Sequence, residues 1–207
     1  MLPYANEIYH FMAEPLLMEM QTHNASIIST KLTATFIVPF KITFFFAFIT
    51  SLPLIFIQIW LFVSPGLYKT EKYFLFWILV IGYLLFILGI LFVYSLVFPI
   101  IFNFFISMTP KDVGLMVDIS SYMEMIIALF LAFGFAFQIP ILLVTLVKFK
   151  WVKIYTIEKN RPYLILVAFT AGAIFTPPDV LSQILLALPM IFLFELGILI
   201  AKKIKID

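Results

Sequence analysis

The chain has 207 residues, of which 64% are hydrophobic and 12% charged, with 26 phenylalanines and a formal net charge of +2. Soluble domains run near 45–50% apolar and about 25% charged, so this composition excludes a soluble globular domain, and so small a net charge gives no nucleic-acid footprint. Cysteine is absent, which removes disulfide frameworks, thiolate metal sites and thiol nucleophiles.

Residues 1–35 are mixed in character. Ile8, Phe11, Met12, Leu16 and Leu17 recur at a spacing that suits one or two short amphipathic helices lying at a membrane surface. The first full span is expected over about 38–63 and the second over about 74–104. Residues 74–105 hold no Asp, Glu, Lys, Arg or His over 32 positions, whereas about 20 apolar residues cross a bilayer core of ~30 Å. The second span is therefore long enough to protrude or tilt. A third span is expected over about 123–147, interrupted in polarity by Gln138. The fourth, 163–176, has only 14 residues, or about 21 Å of helix. Thr176-Pro177-Pro178-Asp179 then makes a helix-stopping turn before a fifth span over about 180–201. Pro53, Pro99 and Pro189 fall inside spans and are expected to bend them. The fold class is all-α, a polytopic integral membrane protein, with 1–35 as an outer cap and 36–207 as the transmembrane domain.

Basic residues set the orientation. One side receives Lys69, Lys72, Lys148, Lys150, Lys153, Lys159, Arg161, Lys202, Lys203 and Lys205, and the other receives Lys31 and Lys111, with Lys41 one turn inside a helix. The side with ten basic residues is expected to face the cytoplasm, or the matrix of a mitochondrion. With five spans the N-terminus then lies outside.

Three blocks, IQIWLFVSPGLYKTEKY (57–73), DISSYMEMIIALFLAFGFAFQIPI (118–141) and RPYLILVAFTAGAIFTPPDVLSQILLALPM (161–190), resemble TatC, the multi-span receptor subunit of the twin-arginine protein translocase. The likeness runs from about Leu2 to Lys203. It implies a curved, glove-like helix bundle in the bacterial inner membrane, or the mitochondrial inner membrane. Such a protein binds RR signal peptides and, with TatB-like and TatA-like single-span partners, helps move folded cargo using the proton-motive force, in an oligomeric receptor complex. Family members begin with a cytoplasmic segment and a first helix, and Met1-Leu2-Pro3-Tyr4 resembles the end of that helix. Where the family often carries Glu in the middle of a helix, this chain has Gln138.

The resemblance assigns signal-peptide binding to Glu71 with Phe62, Leu67, Tyr68 and Lys69, because a carboxylate is what paired guanidinium groups require. It assigns a partner-facing groove to Gln138, Glu195, Pro15, Phe36, Tyr94, Asp179 and Gln183. Plainer readings stand beside these. Glu71 is equally a solvated loop acid beside Lys69 and Lys72, and the flanking aromatics an interfacial belt. Gln138 suits a helix–helix hydrogen bond. Glu195 is a functional acid, a neutral one, or one reaching the basic surface. Asp179 suits an N-cap, and Lys41 snorkels. No HExxH, P-loop or GxGxxG occurs and no Ser/His/Asp set is apparent, so neither an enzyme nor a cofactor is expected. A secondary transporter of a small solute and an inactive fragment of the same family remain as alternatives; the first would show internal repeats, and none is convincing.

Overall fold

In the computed structural model the described residues are 7, 12, 26–31, 33–109, 116–175 and 180–203. From residue 34 onward the described residues form eight α-helices: α1 (Ala34–Val63), α2 (Lys69–Phe92), α3 (Phe98–Met108), α4 (Ile119–Ala136), α5 (Ile139–Lys148), α6 (Ile154–Lys159), α7 (Arg161–Phe175) and α8 (Val180–Lys203). Among the described residues four stretches are long and apolar enough to cross a membrane: Phe36–Gly66, Lys69–Met108, Ile119–Lys148 and Val180–Lys203. The fifth, Arg161–Phe175, is shorter, as its 15 residues allow only about 22 Å. Only 11% of the central window of α1 is buried within the protein, so most of its Phe, Ile and Leu side chains are left for lipid, where the solvent is as apolar as they are.

Prolines explain where the long spans are interrupted. Pro99 has no N–H to give and its ring crowds the preceding turn. The chain relaxes by a π-type turn over Val93–Val97, in which the Phe98 N–H reaches the Val93 carbonyl five residues back. Pro140 likewise ends the regular ladder, so α4 and α5 are separated by Phe137 and Gln138. Pro53 and Pro189, by contrast, lie within unbroken helices.

The chain groups into two compact units, Met1–Leu52 with Phe92–Leu129, and Pro53–Leu91 with Phe130–Asp207. In the first, Val38, Ile42, Phe45 and Ile49 recur every three or four residues along α1 and are buried, as are Val97, Phe98, Ile101 and Phe102. Phe102 packs its ring on Phe98 and on Tyr122, at 5.8 and 5.5 Å between centroids. This unit also holds a short ribbon that no sequence pattern announces. Ser26–Ile28 and Met116–Asp118 pair as a two-stranded parallel ribbon, Ile27 opposite Val117. Asp118 closes it: Oδ1 accepts from the Thr30 N–H and hydroxyl, and Oδ2 from the N–H and hydroxyl of Ser121. The aspartate is thereby the N-cap of α4. The Thr30 N–H foremost, with that of Ser121, holds its carboxyl well below the usual carboxylate range. Of the expected amphipathic helices only Glu7 and Met12 fall among the described residues. Met12 is buried, not superficial, and its carbonyl accepts the Tyr122 hydroxyl.

In the second unit α5 and α7 both pack on α8. Leu143, Val147, Ile157, Phe194, Ile198 and Ala201 form its core cluster. Glycine permits a close backbone approach: a Cβ on Gly89 of α2 would stand 2.7 Å from the Phe133 carbonyl oxygen of α4. The end of α5 carries a Schellman cap. The Lys150 N–H bonds the Val147 carbonyl and the Trp151 N–H that of Leu146, each at 3.0 Å. The left-handed residue of that motif is Lys150, φ 58°. Glycine is usual at such a place, and a lysine there costs about 1 kcal/mol relative to it.

Candidate functional site

The residues assigned from sequence to signal binding converge on one hairpin of the second unit. α1 ends at Val63, a single tight turn follows over Ser64–Gly66 with Pro65 opening it, and Leu67 is extended. α2 then starts at Lys69. Glu71 is its third residue, and its Oε2 accepts the Tyr68 N–H at 3.1 Å. This is half of a capping box: the acid satisfies an N–H that the helix start would leave orphaned. The same geometry fixes the carboxylate at the positive end of the α2 dipole. Around it Phe62 and Tyr68 are exposed to 87% and 81%, Lys69 is exposed and Leu67 half-buried.

Aromatic contacts brace the hairpin. The Lys72 ammonium lies 5.1 Å from the centre of the Trp60 ring, a cation–π contact, and Trp60 meets Phe76 edge to face at 5.9 Å. Below these residues, Pro53, Phe56 and Ile57 of α1 and Leu79, Tyr83 and Leu84 of α2 line an apolar cleft of about 280 Å³.

The remaining acids explain why Glu71 stands apart. Glu124 pairs with Lys41 at 2.7 Å, so the lysine read from sequence as snorkelling is instead an ion-pair partner, brought near by folding across 83 residues. Glu195 pairs with Arg161 at 2.9 Å, both side chains less than half exposed but far from sealed, at 41% and 45%. Of the readings open for Glu195, contact with the basic surface is the one observed. Glu158 pairs with Lys202, whose ammonium holds the Glu158 carboxyl below its ordinary value. Among the described residues from 26 onward, Glu71 alone of the acids meets neither a cation nor a full set of donors.

The described residues assigned to partner contact are divided between the two units. Gln138, at the break between α4 and α5, is half-buried, and its Nε2 donates to the Gly82 carbonyl of α2 at 2.8 Å. Gln183 of α8 donates to the Phe169 carbonyl of α7 at 2.8 Å, and Gly172 leaves room for its stem. Phe36 and Tyr94 belong to the other unit, the first exposed and the second half-buried in the π-type turn. Pro15 and Asp179 lie outside the described residues. α4, α5, α7 and α8 border a second apolar cleft of about 340 Å³, lined by Ala136, Ile139, Val167, Ala171 and Met190 among others. Gln138 itself is not in its wall. The pairing of Arg161 with Glu195 and the bond to Gly82 were not read from the sequence. No local pattern marks a pair 34 residues apart, and a glycine in a helix carries no signal that its carbonyl will be approached.

The family model described as Sec-independent protein translocase protein (TatC) matches residues 1–189. The chain belongs to the TatC family. It is 43% identical over 202 residues to the Sec-independent protein translocase protein TatC of Haemophilus influenzae, covering 96% of this chain and 77% of that one. Identity is 40% to the Escherichia coli K12 protein over the same shares, and 38% over 206 residues to that of Rickettsia prowazekii, where 98% and 82% are covered. A crystal structure of the twin arginine translocase receptor TatC superposes with a TM-score of 0.85 at 31% identity, over 97% of this chain and 88% of the other. The likeness read from three sequence blocks thus holds for the whole fold, and the chain is a multi-pass membrane component of the Sec-independent protein translocase.

Proposed function

We propose that this TatC chain is the docking receptor for twin-arginine signal peptides, and that the α1–α2 hairpin is where they dock, on the cytoplasmic side of a bacterial inner membrane. The observation that supports it is Glu71: an anchored carboxylate whose charge no cation of the described chain meets. Two guanidinium groups supply what it lacks, in the planar, multidentate form that suits a carboxylate. Phe62, Leu67 and Tyr68 offer apolar contact beside the arginines, and the cleft under Trp60 suits the apolar segment that follows them in a signal peptide. Lys69 and Lys72 flank the acid and favour a peptide that presents its positive charge at one point only. The basic side faces the cytoplasm, by the asymmetry of lysine and arginine.

The single-span TatA-like and TatB-like partners are proposed to lie against the second unit. The short helix α7 and the cleft it shares with α8 offer a helix-sized apolar surface there, with Gln183 and Glu195 on the same pair of helices. The translocase is driven by the proton-motive force, and no catalytic step is assigned to this chain. The test is binding of a synthetic RR signal peptide to the reconstituted protein. Glu71→Gln is expected to weaken it at an unchanged level of folded protein, and equal binding by the variant removes the hairpin acid from the site.

A further inference from the structure

The loop between α5 and α6 has a design that docking of signal peptides does not use. We propose that residues 148–155 form a seat for the headgroup of an anionic phospholipid of the surrounding membrane.

Charge is the first observation. Between 148 and 161 the chain carries Lys148, Lys150, Lys153, Lys159 and Arg161 against the single acid Glu158. That acid is paired with Lys202. An excess of lysine on this side is expected of any membrane protein, and by itself would specify nothing.

The backbone is the second observation. Lys150 is the only non-glycine residue with positive φ among the described residues, and no described glycine has one either. The left-handed corner of this loop is therefore occupied by a lysine where glycine would relieve strain. An ammonium is retained at a place that disfavours its side chain, and such retained strain points to a role for the group that bears it.

The third observation is the scaffold. Val147 and Ile157 are buried in the core cluster, and Val152 and Ile154 pack against it. These anchors leave Lys148, Lys150 and Lys153 exposed. They leave Trp151 and Tyr155 exposed as well, to 74% and 71%. Phe149 backs the Trp151 ring at 6.0 Å between centroids and also meets Phe74 edge to face. Three exposed lysines and two exposed amphipathic rings within eight residues of a fixed base match a phosphate whose acyl chains continue into the bilayer. Indole and phenol rings settle at headgroup depth, and lysines at this level attract anionic lipid. A soluble phosphate would use the lysines but gain nothing from the rings.

The full chain is reconstituted in phosphatidylcholine nanodiscs containing either brominated phosphatidylglycerol or an equal fraction of brominated phosphatidylcholine. Trp60 and Trp77 are replaced by Phe, so that Trp151 alone reports. The expected result is stronger quenching of Trp151 by the anionic lipid. The preference should fall about fivefold for each lysine removed in Lys150→Gly and in Lys153→Gln. Lys150→Gly should melt no lower than the parent, because its backbone is relieved. Lipid counting by native mass spectrometry of the unsubstituted protein and of Lys150→Gly gives the same comparison without the tryptophan changes. Equal quenching by both lipids, or an undiminished preference in Lys150→Gly, overturns the seat and leaves the lysines to a soluble protein partner. Loss of the preference in millimolar inorganic phosphate would also overturn it, in favour of a free-phosphate site.

Discussion

Replacing Glu71 by glutamine separates the two things this side chain does. As the third residue of α2 it accepts the Tyr68 N–H through Oε2 at 3.1 Å, and a glutamine carbonyl accepts the same bond, since the capping box admits either residue. Glu71→Gln should therefore leave stability within about 0.5 kcal/mol of the parent, whereas Glu71→Ala loses the cap and should cost about 1 kcal/mol. Binding is another matter. A fully exposed ion pair contributes roughly 0.2–1 kcal/mol and hydrogen bonds to a charged group about 1.5–3 kcal/mol. Glu71 is half-buried and held in place, so the upper range applies, a ten- to hundred-fold rise in Kd for an RR peptide. The assay is equilibrium binding of a fluorescent signal peptide to protein in nanodiscs, beside a control in which both arginines are lysines. The lysine peptide should bind weakly to the parent and be nearly indifferent to Glu71→Gln, because ammonium groups cannot form the forked contact. The gap between the two peptides should shrink at high salt, as screening shortens the reach of an exposed charge. If Glu71→Gln binds the RR peptide as the parent does, or if glutamine and alanine lose binding only in step with melting temperature, the charge argument fails and Glu71 is only a cap.

Gly89→Ala should lower thermal stability by about 1–3 kcal/mol, because the added Cβ would meet a backbone carbonyl at 2.7 Å; Gly66→Ala, with open space around it, is the control. The Asp118 carboxyl is depressed in the folded protein, so its contribution is complete above the unfolded value near 4 and is lost as pH falls towards the folded one. Amide exchange at Thr30 and Ser121 should accordingly accelerate below about pH 4, after allowance for the intrinsic rate, and Asp118→Asn should show fast exchange already at neutral pH. Gln138→Leu removes one helix–helix hydrogen bond and should cost about 0.6 kcal/mol in a melt; a loss several times larger would mean that Gln138 supports more than its bond to Gly82.

The spans were legible because lipid leaves no choice: a run of about 20 apolar residues has to be helix. The place of Glu71 in a loop between two helices was legible for a related reason. A lone acid in a short polar loop between two such runs is placed by the runs themselves, and Glu71 needs only local geometry to reach Tyr68. Everything that depends on long-range partners was hidden. Glu195 could be read three ways until Arg161 was found 2.9 Å from it, and Lys41 looked like a snorkelling residue until Glu124 met it. The ribbon of Ser26–Ile28 was invisible because three residues are too few for an alternating pattern, and its partner strand lies about 90 positions away.

The polar groups at membrane depth follow one rule, and it bears on how partners can engage this protein. Thr43, Thr50, Thr145 and Thr170 each return their hydroxyl to a carbonyl of their own helix four residues back. Gln138 and Gln183 instead donate across to a neighbouring helix, at Gly82 and Phe169. In lipid, where apolar surfaces gain little by meeting, such bonds and close glycine contacts are what hold helices in register. A partner helix that recruited Gln138 or Gln183 would first have to break the existing bond. The carbonyl left behind keeps its own helical N–H, so the loss is one modest bond and not an orphaned group. The two glutamines therefore offer donors that can change hands at little cost, while the ion pairs of Glu124, Glu158 and Glu195 keep the acids neutralised. Among the described acids Glu71 is left as the place where an incoming charge finds something unmet, which is why the docking role is proposed for the hairpin and the partner role for the helices beside α7.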